Sequence, residues 1–181
     1  MGVLVGVSGC SGSGKSTFAK ELAERLDDKK VSIITSDTFF KSPKPKMVSP
    51  ANGKVYDDFN TPENLDMSKM LPAIKQALVE NDIVIAEGIL LFCFKEFLLQ
   101  ADLTVFIDAG IETRLSRRLV RNTRVYGLDF DEVLDYYMNA ARFSERRNTG
   151  SSRINADIIV DGEKNFDKPL AVIEAYLRSA L

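Results

Sequence analysis

Residues 3–17 constrain the fold more than any other stretch. An unbroken apolar run, residues 3–7, enters a loop of glycine and serine that ends on Lys15-Ser16-Thr17. A short continuous apolar run suits a strand buried on both faces. After the loop, Phe18, Ala19, Leu22, Ala23 and Leu26 recur at helical spacing, which predicts a helix over residues 16–26. The same alternation continues downstream. Residues 31–34, 83–86, 103–107 and 158–160 read as strands, and residues 65–78, 111–121, 130–147 and 169–181 as helices. On the 65–78 helix, Leu65, Met70, Leu71, Ile74 and Leu78 share a face, and Pro72 falls in the first turns, where proline costs least. Strands that are unbroken apolar runs, alternating with helices, predict an α/β architecture: a parallel sheet covered by helices on both faces. Neither a repeat nor a low-complexity linker interrupts the pattern, so residues 1–181 are expected to form one domain. Residues 41–60 are polar, with three prolines and the pair Asn52-Gly53. They predict an excursion over 38–62 with a small hairpin near Val55 and Tyr56.

The loop itself has a definite chemistry. Gly9, Cys10, Ser11, Gly12, Ser13, Gly14, Lys15, Ser16 and Thr17 match the phosphate-loop pattern G-x-x-x-x-G-K-S/T in full, between a buried strand and a helix. Glycines let the backbone turn so that several N–H groups point at one phosphate. The helix opening near Lys15 adds its positive end. In this pattern the lysine reaches the β- and γ-phosphates and the Ser16 hydroxyl ligates Mg²⁺. A nucleoside triphosphate is therefore the expected ligand, on a three-layer P-loop NTPase fold.

Composition narrows the chemistry further. The 181 residues include no histidine, which removes Ser-His-Asp and Cys-His nucleophiles and histidine-based zinc sites. Any general base must be a carboxylate, a lysine, a tyrosine or water. Cys10 and Cys93 are too few for a disulfide framework or a four-thiolate zinc site; two unpaired thiols point to the reducing cytoplasm. A net charge of -2 argues against a nucleic-acid or anionic-membrane partner. No apolar run approaches the ~20 residues that span a bilayer, and residues 1–7 lack the basic flank of a signal peptide. A small molecule is the expected partner. Nothing in the residues sets an oligomeric state.

In parallel sheets ligands gather at the carboxyl ends of the strands, which directs attention to Ser36-Asp37, Glu87-Gly88 and Asp108. The guanine-reading string N-K-x-D and the γ-phosphate-sensing D-x-x-G of GTPase switches are both absent. A small kinase remains, and it needs a base, a magnesium environment and cations for the transferring phosphoryl. Asp37, just past a strand, suits the base; its competing role is to cap the turn that begins at Thr38. Glu87 ends an apolar strand, where a carboxylate holds Mg²⁺ through water; its competing role is a solvent-facing strand end. Arg114, Arg117, Arg118, Arg121 and Arg124 form a basic stripe. Such a stripe is ordinarily a solvated face, and most of the five are expected to be so. The stripe runs into a break at Gly127, however, so residues 122–129 read as a small lid that brings one or two arginines onto phosphate.

Six motifs in order carry a resemblance to a known family. They are the phosphate loop, then Ser36-Asp37-Thr38-Phe39-Phe40-Lys41, then residues 58–66 (D-F-N-T-P-E-N-L-D), then Glu87-Gly88-Ile89-Leu90-Leu91-Phe92, then residues 112–121 (E-T-R-L-S-R-R-L-V-R), then Ala156-Asp157-Ile158-Ile159-Val160. From residue 3 to about residue 162 the chain resembles the uridine kinase and phosphoribulokinase family, which includes uridine-cytidine and nicotinamide riboside kinases. The resemblance implies that Asp37 is the catalytic aspartate and that Phe59 and Asn60 stand where the family has an aromatic and a ribose-holding aspartate. Asparagine at 60 departs from that pattern, with Asp57 or Asp58 as substitutes. Residues 121–126 (R-N-T-R-V-Y) have Val125 and Tyr126 where uridine kinases read R-D-x-x-E-R-G-R. This string is similar to nicotinamide riboside kinases, and it implies that Arg121, Arg124 and Tyr126 meet the substrate.

The expected activity is transfer of phosphate from Mg·ATP to the 5′-hydroxyl of a ribonucleoside of the uridine or cytidine type. Asp37, Lys15 and Arg121 would carry the chemistry, Ser16 and Glu87 the Mg²⁺, and Phe59, Asn60, Arg124 and Tyr126 the acceptor. Two alternatives stay open: a kinase of nicotinamide riboside or another small alcohol, and a non-catalytic regulatory protein that binds nucleotide.

Overall fold

A computed structural model describes residues 2–181. Among them are seven strands: β1 (Val3–Ser8), β2 (Val31–Thr35), β3 (Lys46–Val48), β4 (Val55–Asp57), β5 (Ile83–Gly88), β6 (Leu103–Asp108) and β7 (Ile158–Asp161). Five of them form one sheet in the order β2-β5-β1-β6-β7, with every pairing parallel. β1 and β5 are buried at every residue, which is why they read as unbroken apolar runs. β2 lies at an edge, half-buried, and there Ser32 and Thr35 are tolerated.

The helices are α1 (Lys15–Arg25), α2 (Met67–Glu80), α3 (Lys95–Leu98), α4 (Ile111–Arg124), α5 (Phe130–Tyr136), α6 (Arg142–Glu145) and α7 (Asp167–Ala180). Successive strand residues point to opposite faces, so β1 feeds two cores. Val3, Val5 and Val7 pack with Phe18 and Leu22 of α1 and with Leu170 and Ile173 of α7. Leu4 packs on the other side with Met70 and Ile74 of α2 and with Phe92 and Phe97. Full burial of each such side chain contributes about 1.5–3 kcal/mol.

Several boundaries differ from the sequence reading. Leu65 is not helical; it pairs with Phe40 in an isolated antiparallel bridge, and α2 starts two residues later. Pro72 is therefore the sixth residue of α2, past the first turn. Its missing N–H leaves the Ser68 carbonyl without its helical donor, at a place on α2 where both residues are exposed. The hairpin in the 38–62 excursion is β3 paired with β4. The break expected over 122–129 is shorter, because α4 runs to Arg124. From Phe130 the chain is helical to Asn155 rather than to residue 147. That rod changes hydrogen-bond register along its length: α5, a π turn over Tyr137–Ala141, α6, a second π turn over Arg146–Gly150, and a 3₁₀ turn over Ser151–Asn155.

Candidate functional site

The phosphate loop leaves β1 and enters α1 through Gly14, which has a left-handed φ of 105°. Gly12 also has positive φ, and a Cβ there would stand 2.5 Å from the Arg114 carbonyl oxygen. No side chain caps α1, and its first turn carries no acidic residue, so the loop presents free N–H groups and a positive helix end. Lys15 is only 8% exposed and forms no ion pair among the described residues. A buried, unpaired ammonium is costly unless an anion joins it. Ser13 Oγ is likewise buried without a partner. Beside them, Ser16 Oγ donates to Glu87 Oε2 at 3.1 Å, and Glu87 is 4% exposed at the end of β5. Glu87 is thus not a solvent-facing strand end. Among the described residues no cluster of three or more histidines, cysteines, aspartates or glutamates could hold a metal. A cation at Ser16 and Glu87 therefore needs further oxygens from water and a ligand, as Mg²⁺ commonly takes them from phosphates. This donor set fits a polyphosphate with a hard divalent cation.

From the loop a cavity of about 440 Å³ opens between α4, α5 and the 38–62 excursion. It brings together Lys15, Ser11, Asp37, Phe59, Asn60, Arg121 and Tyr126. Asp37 lies in a 3₁₀ turn, Ser36–Phe39, at the end of β2, and accepts a long 3.5 Å bond from Ser36 Oγ. It does not cap that turn: Thr35 precedes the turn and no side chain caps it. Arg121 donates to Ser11 Oγ at 3.2 Å, with its guanidinium 5.7 Å from the Tyr126 ring centre. Phe59 and Tyr136 form a T-shaped pair with ring centres 6.0 Å apart, and burial pushes the Tyr136 phenol up to about 12, so it stays neutral.

Arg124 does not line this cavity. Because α4 continues to Arg124, its side chain stays exposed at the helix end instead of turning in with the following loop. Neither Asp57 nor Asp58 lines the cavity beside Asn60. Asp57 pairs with Lys46 across the hairpin at 2.5 Å. Buried Asp58 accepts from the Asn60 N–H at 3.0 Å and from Ser144 Oγ at 2.5 Å, so it fixes the loop that carries Asn60. Cys10, although it belongs to the phosphate loop, does not line this cavity but a different one. Burial, reinforced by Glu145, raises its thiol to about 12. Both cysteines are unpaired.

The arginine stripe is far less solvated than expected. Arg114 forms a buried ion pair with Glu145. Arg117 donates to the carbonyls of Gly162 (2.9 Å), Gly12 (3.3 Å) and Ser13 (3.4 Å), which pins the phosphate loop from outside. Arg118 is buried over Tyr136 at 5.4 Å and lines the cavity with no ion partner. Burial lowers its pKa from the usual arginine range, and the Arg121 cation adds to that. Helical spacing signalled these arginines; it could not show which carbonyls or rings they meet. Glu132, Val133 and Tyr136 also line the cavity and carried no motif, and Ile89 of the Glu87–Phe92 motif lines it beside them. A further groove of about 620 Å³ opens beside Gly14 and Thr17, between Arg117 and residues 162–167.

Comparisons with known proteins agree with this geometry. The AAA_18 family, described as an AAA domain, matches residues 5–150. The uridine kinase of Clostridium tetani (strain Massachusetts / E88) is 27% identical, with 87% of this chain and 86% of that protein aligned. The uridine kinase of Borrelia garinii subsp. bavariensis is 26% identical over 99% of this chain and 96% of that protein. Among solved structures, a kinase ascribed to a fructose transport system in Silicibacter sp. TM1040 superposes with a TM-score of 0.59 at 17% identity, covering 88% of this chain and 89% of that one. An uncharacterised protein from Eubacterium ventriosum ATCC 27560 gives 0.57 at 18% identity, covering 98% and 99%. At such identities the structures speak for the fold alone.

Proposed function

Because the chain belongs to the AAA_18 family, we propose that it is an ATP-dependent kinase that phosphorylates the 5′-hydroxyl of a ribonucleoside of the uridine or cytidine type. The observation that carries this reading is one cavity lined both by the buried, unpaired Lys15 of the phosphate loop and by Asp37, Phe59, Asn60 and Tyr126. The relatives named uridine kinase add support for a nucleoside acceptor.

In this reading the polyphosphate of ATP lies on the loop N–H groups of residues 9–17 and against Lys15, with its base in the groove beside Thr17 and Arg117. Ser16 and Glu87 hold Mg²⁺, which when bound offsets charge on the phosphate oxygens. The acceptor ring lies between Phe59 and Tyr126, whose aromatic faces suit a planar base, and Asn60 meets the ribose. Asp37 orients the 5′-hydroxyl and takes its proton as the new P–O bond forms and the bond to ADP breaks. Lys15, Arg118 and Arg121 spread the charge that develops on the transferring phosphoryl. Arg124 receives no substrate contact.

A second reading has its own observation. Asn60 is uncharged, and both neighbouring aspartates are engaged elsewhere. A small alcohol that has no ribose diol to be held suits that arrangement, while nicotinamide riboside, which carries the same diol as uridine, is favoured instead by the string Arg121-Asn122-Thr123-Arg124-Val125-Tyr126. ADP release from ATP, measured with a panel of ribonucleosides, nicotinamide riboside and sugar alcohols, separates the readings. Stimulation by uridine or cytidine supports the first, and stimulation by another alcohol the second. No stimulation by any acceptor makes the chain a nucleotide-binding regulator. Asp37→Asn is expected to abolish acceptor-stimulated turnover, a loss on the order of 10²–10⁴-fold, with ATP binding retained. Near-normal turnover in that variant removes Asp37 from the chemistry.

A further inference from the structure

Behind the phosphate loop lies a larger cavity of about 740 Å³ that the proposed reaction does not use. It is separated from the acceptor cavity by the phosphate loop and by two helical elements. Cys10 faces it while Ser11 faces the other; Arg114 and Leu115 of α4 line it while Arg118 and Arg121 line the other. The rod over 130–155 is shared in the same way. Glu132, Val133 and Tyr136 line the acceptor cavity, and the stretch from Tyr137 to Arg153 lines the rear one.

Three features give the rear cavity the chemistry of a ligand site. Its wall combines apolar Phe106, Leu115, Tyr137 and Phe143 with Arg142 and Arg146, two exposed cations that form no ion pair among the described residues. Its carboxylate Glu145 is 3% exposed, and while one oxygen is held by Arg114, Oε2 has no hydrogen-bond partner. Both π turns of the rod lie along this wall, through Tyr137 and Met138 in the first and Arg146 and Gly150 in the second. Such turns are frequent at functional sites. A ligand that matches all three groups has a flat apolar body, an anionic group for the arginines and an N–H for Glu145.

We propose that the rear cavity binds an aromatic anion bearing an N–H group, and that its occupation tightens the acceptor loop through the shared rod. The far side of the rod holds that loop directly. Tyr136 accepts from the Phe59 N–H at 3.5 Å, Ser144 donates to Asp58, and Asn148 Nδ2 donates to the Asn60 carbonyl at 2.8 Å. A ligand packed between the π turns and α4 changes where the rod sits, and residues 58–60 follow it.

The probe is 8-anilinonaphthalene-1-sulfonate, which has the flat body, the anion and the N–H, titrated by fluorescence into the full chain saturated with Mg·ADP. Two variants test its location. Arg142→Glu with Arg146→Glu reverses the unpaired charges, and Met138→Trp fills the cavity without changing charge. Each is expected to weaken the probe by about tenfold or more. Hydrogen exchange of residues 56–62 is expected to slow when the probe saturates the unmodified chain, and to lose that response in both variants. Weak or absent binding to the unmodified chain overturns the site. So does unchanged affinity in Met138→Trp, since general attraction to a basic surface would then account for the charge reversal. Unchanged exchange over 56–62 overturns the coupling.

Discussion

At the scale of single residues, the site is defined by groups left without partners. Lys15 and Arg118 are buried residues that line the acceptor cavity without an ion partner among the described residues, and the Arg118 guanidinium lies over the rings of Tyr136 and Tyr137. A cation held in such a place without a counter-ion gives up hydration and regains little of it until an anion enters the cavity. Lys15→Met is expected to abolish ATP binding while leaving the melting temperature of the nucleotide-free protein unchanged or higher. Calorimetric titration and thermal melts check both halves. A melt well below that of the unmodified chain would mean that Lys15 supports the fold as well. The phosphate loop and Asp37 were legible because short motifs in a strand-loop-helix context leave little freedom of placement. Asp58 was not: its partner Ser144 lies 86 residues further along the chain, and no local pattern announces that pairing.

At the scale of elements, the rod over 130–155 is the part least visible beforehand. Strands β1, β5 and β6 could be read directly because burial on both faces leaves almost no polar residue in them. A π turn has no comparable signature, since it shifts the hydrogen-bond register without altering which residue types are buried. The spacing of apolar residues therefore predicted an ordinary helix that ended near 147, not one helical to 155. The rod acts as a brace for the acceptor loop, and Ser144 is its most buried tie. Ser144→Ala leaves one oxygen of buried Asp58 unsatisfied, at a cost of about 1–3 kcal/mol. The expected result is a lower denaturant midpoint and a raised acceptor KM, with the affinity for ATP unchanged.

At the scale of the whole molecule, the absence of histidine sets the response to pH. No side chain has its ordinary pKa between about 5 and 8, and burial raises both thiols further from that window. The resolved carboxylate shifts run downward: hydrogen bonds from Arg178 to Asp28, from Thr61 to Glu63, from Ser68 to Asp66 and from the Glu163 N–H to Asp161 hold each below its usual range. A depressed folded pKa contributes stability that is present above the unfolded value and lost as pH falls through the folded one. The melting temperature is therefore expected to be flat from about pH 6 to 8 and to fall below about pH 4, as a series of thermal melts would record. The strand order belongs to this scale too. Apolar runs identify strands but not their neighbours, so β2-β5-β1-β6-β7 could not be read in advance. That order bears on how the chain is made. β1 and β2 do not pair with each other; both pair with β5, which begins at residue 83. A ribosome that has released the chain as far as residue 80 has thus delivered the whole phosphate loop, yet neither of the strands that hold β1 in the sheet. The phosphate loop waits for strands made after it before its own strand can take its place.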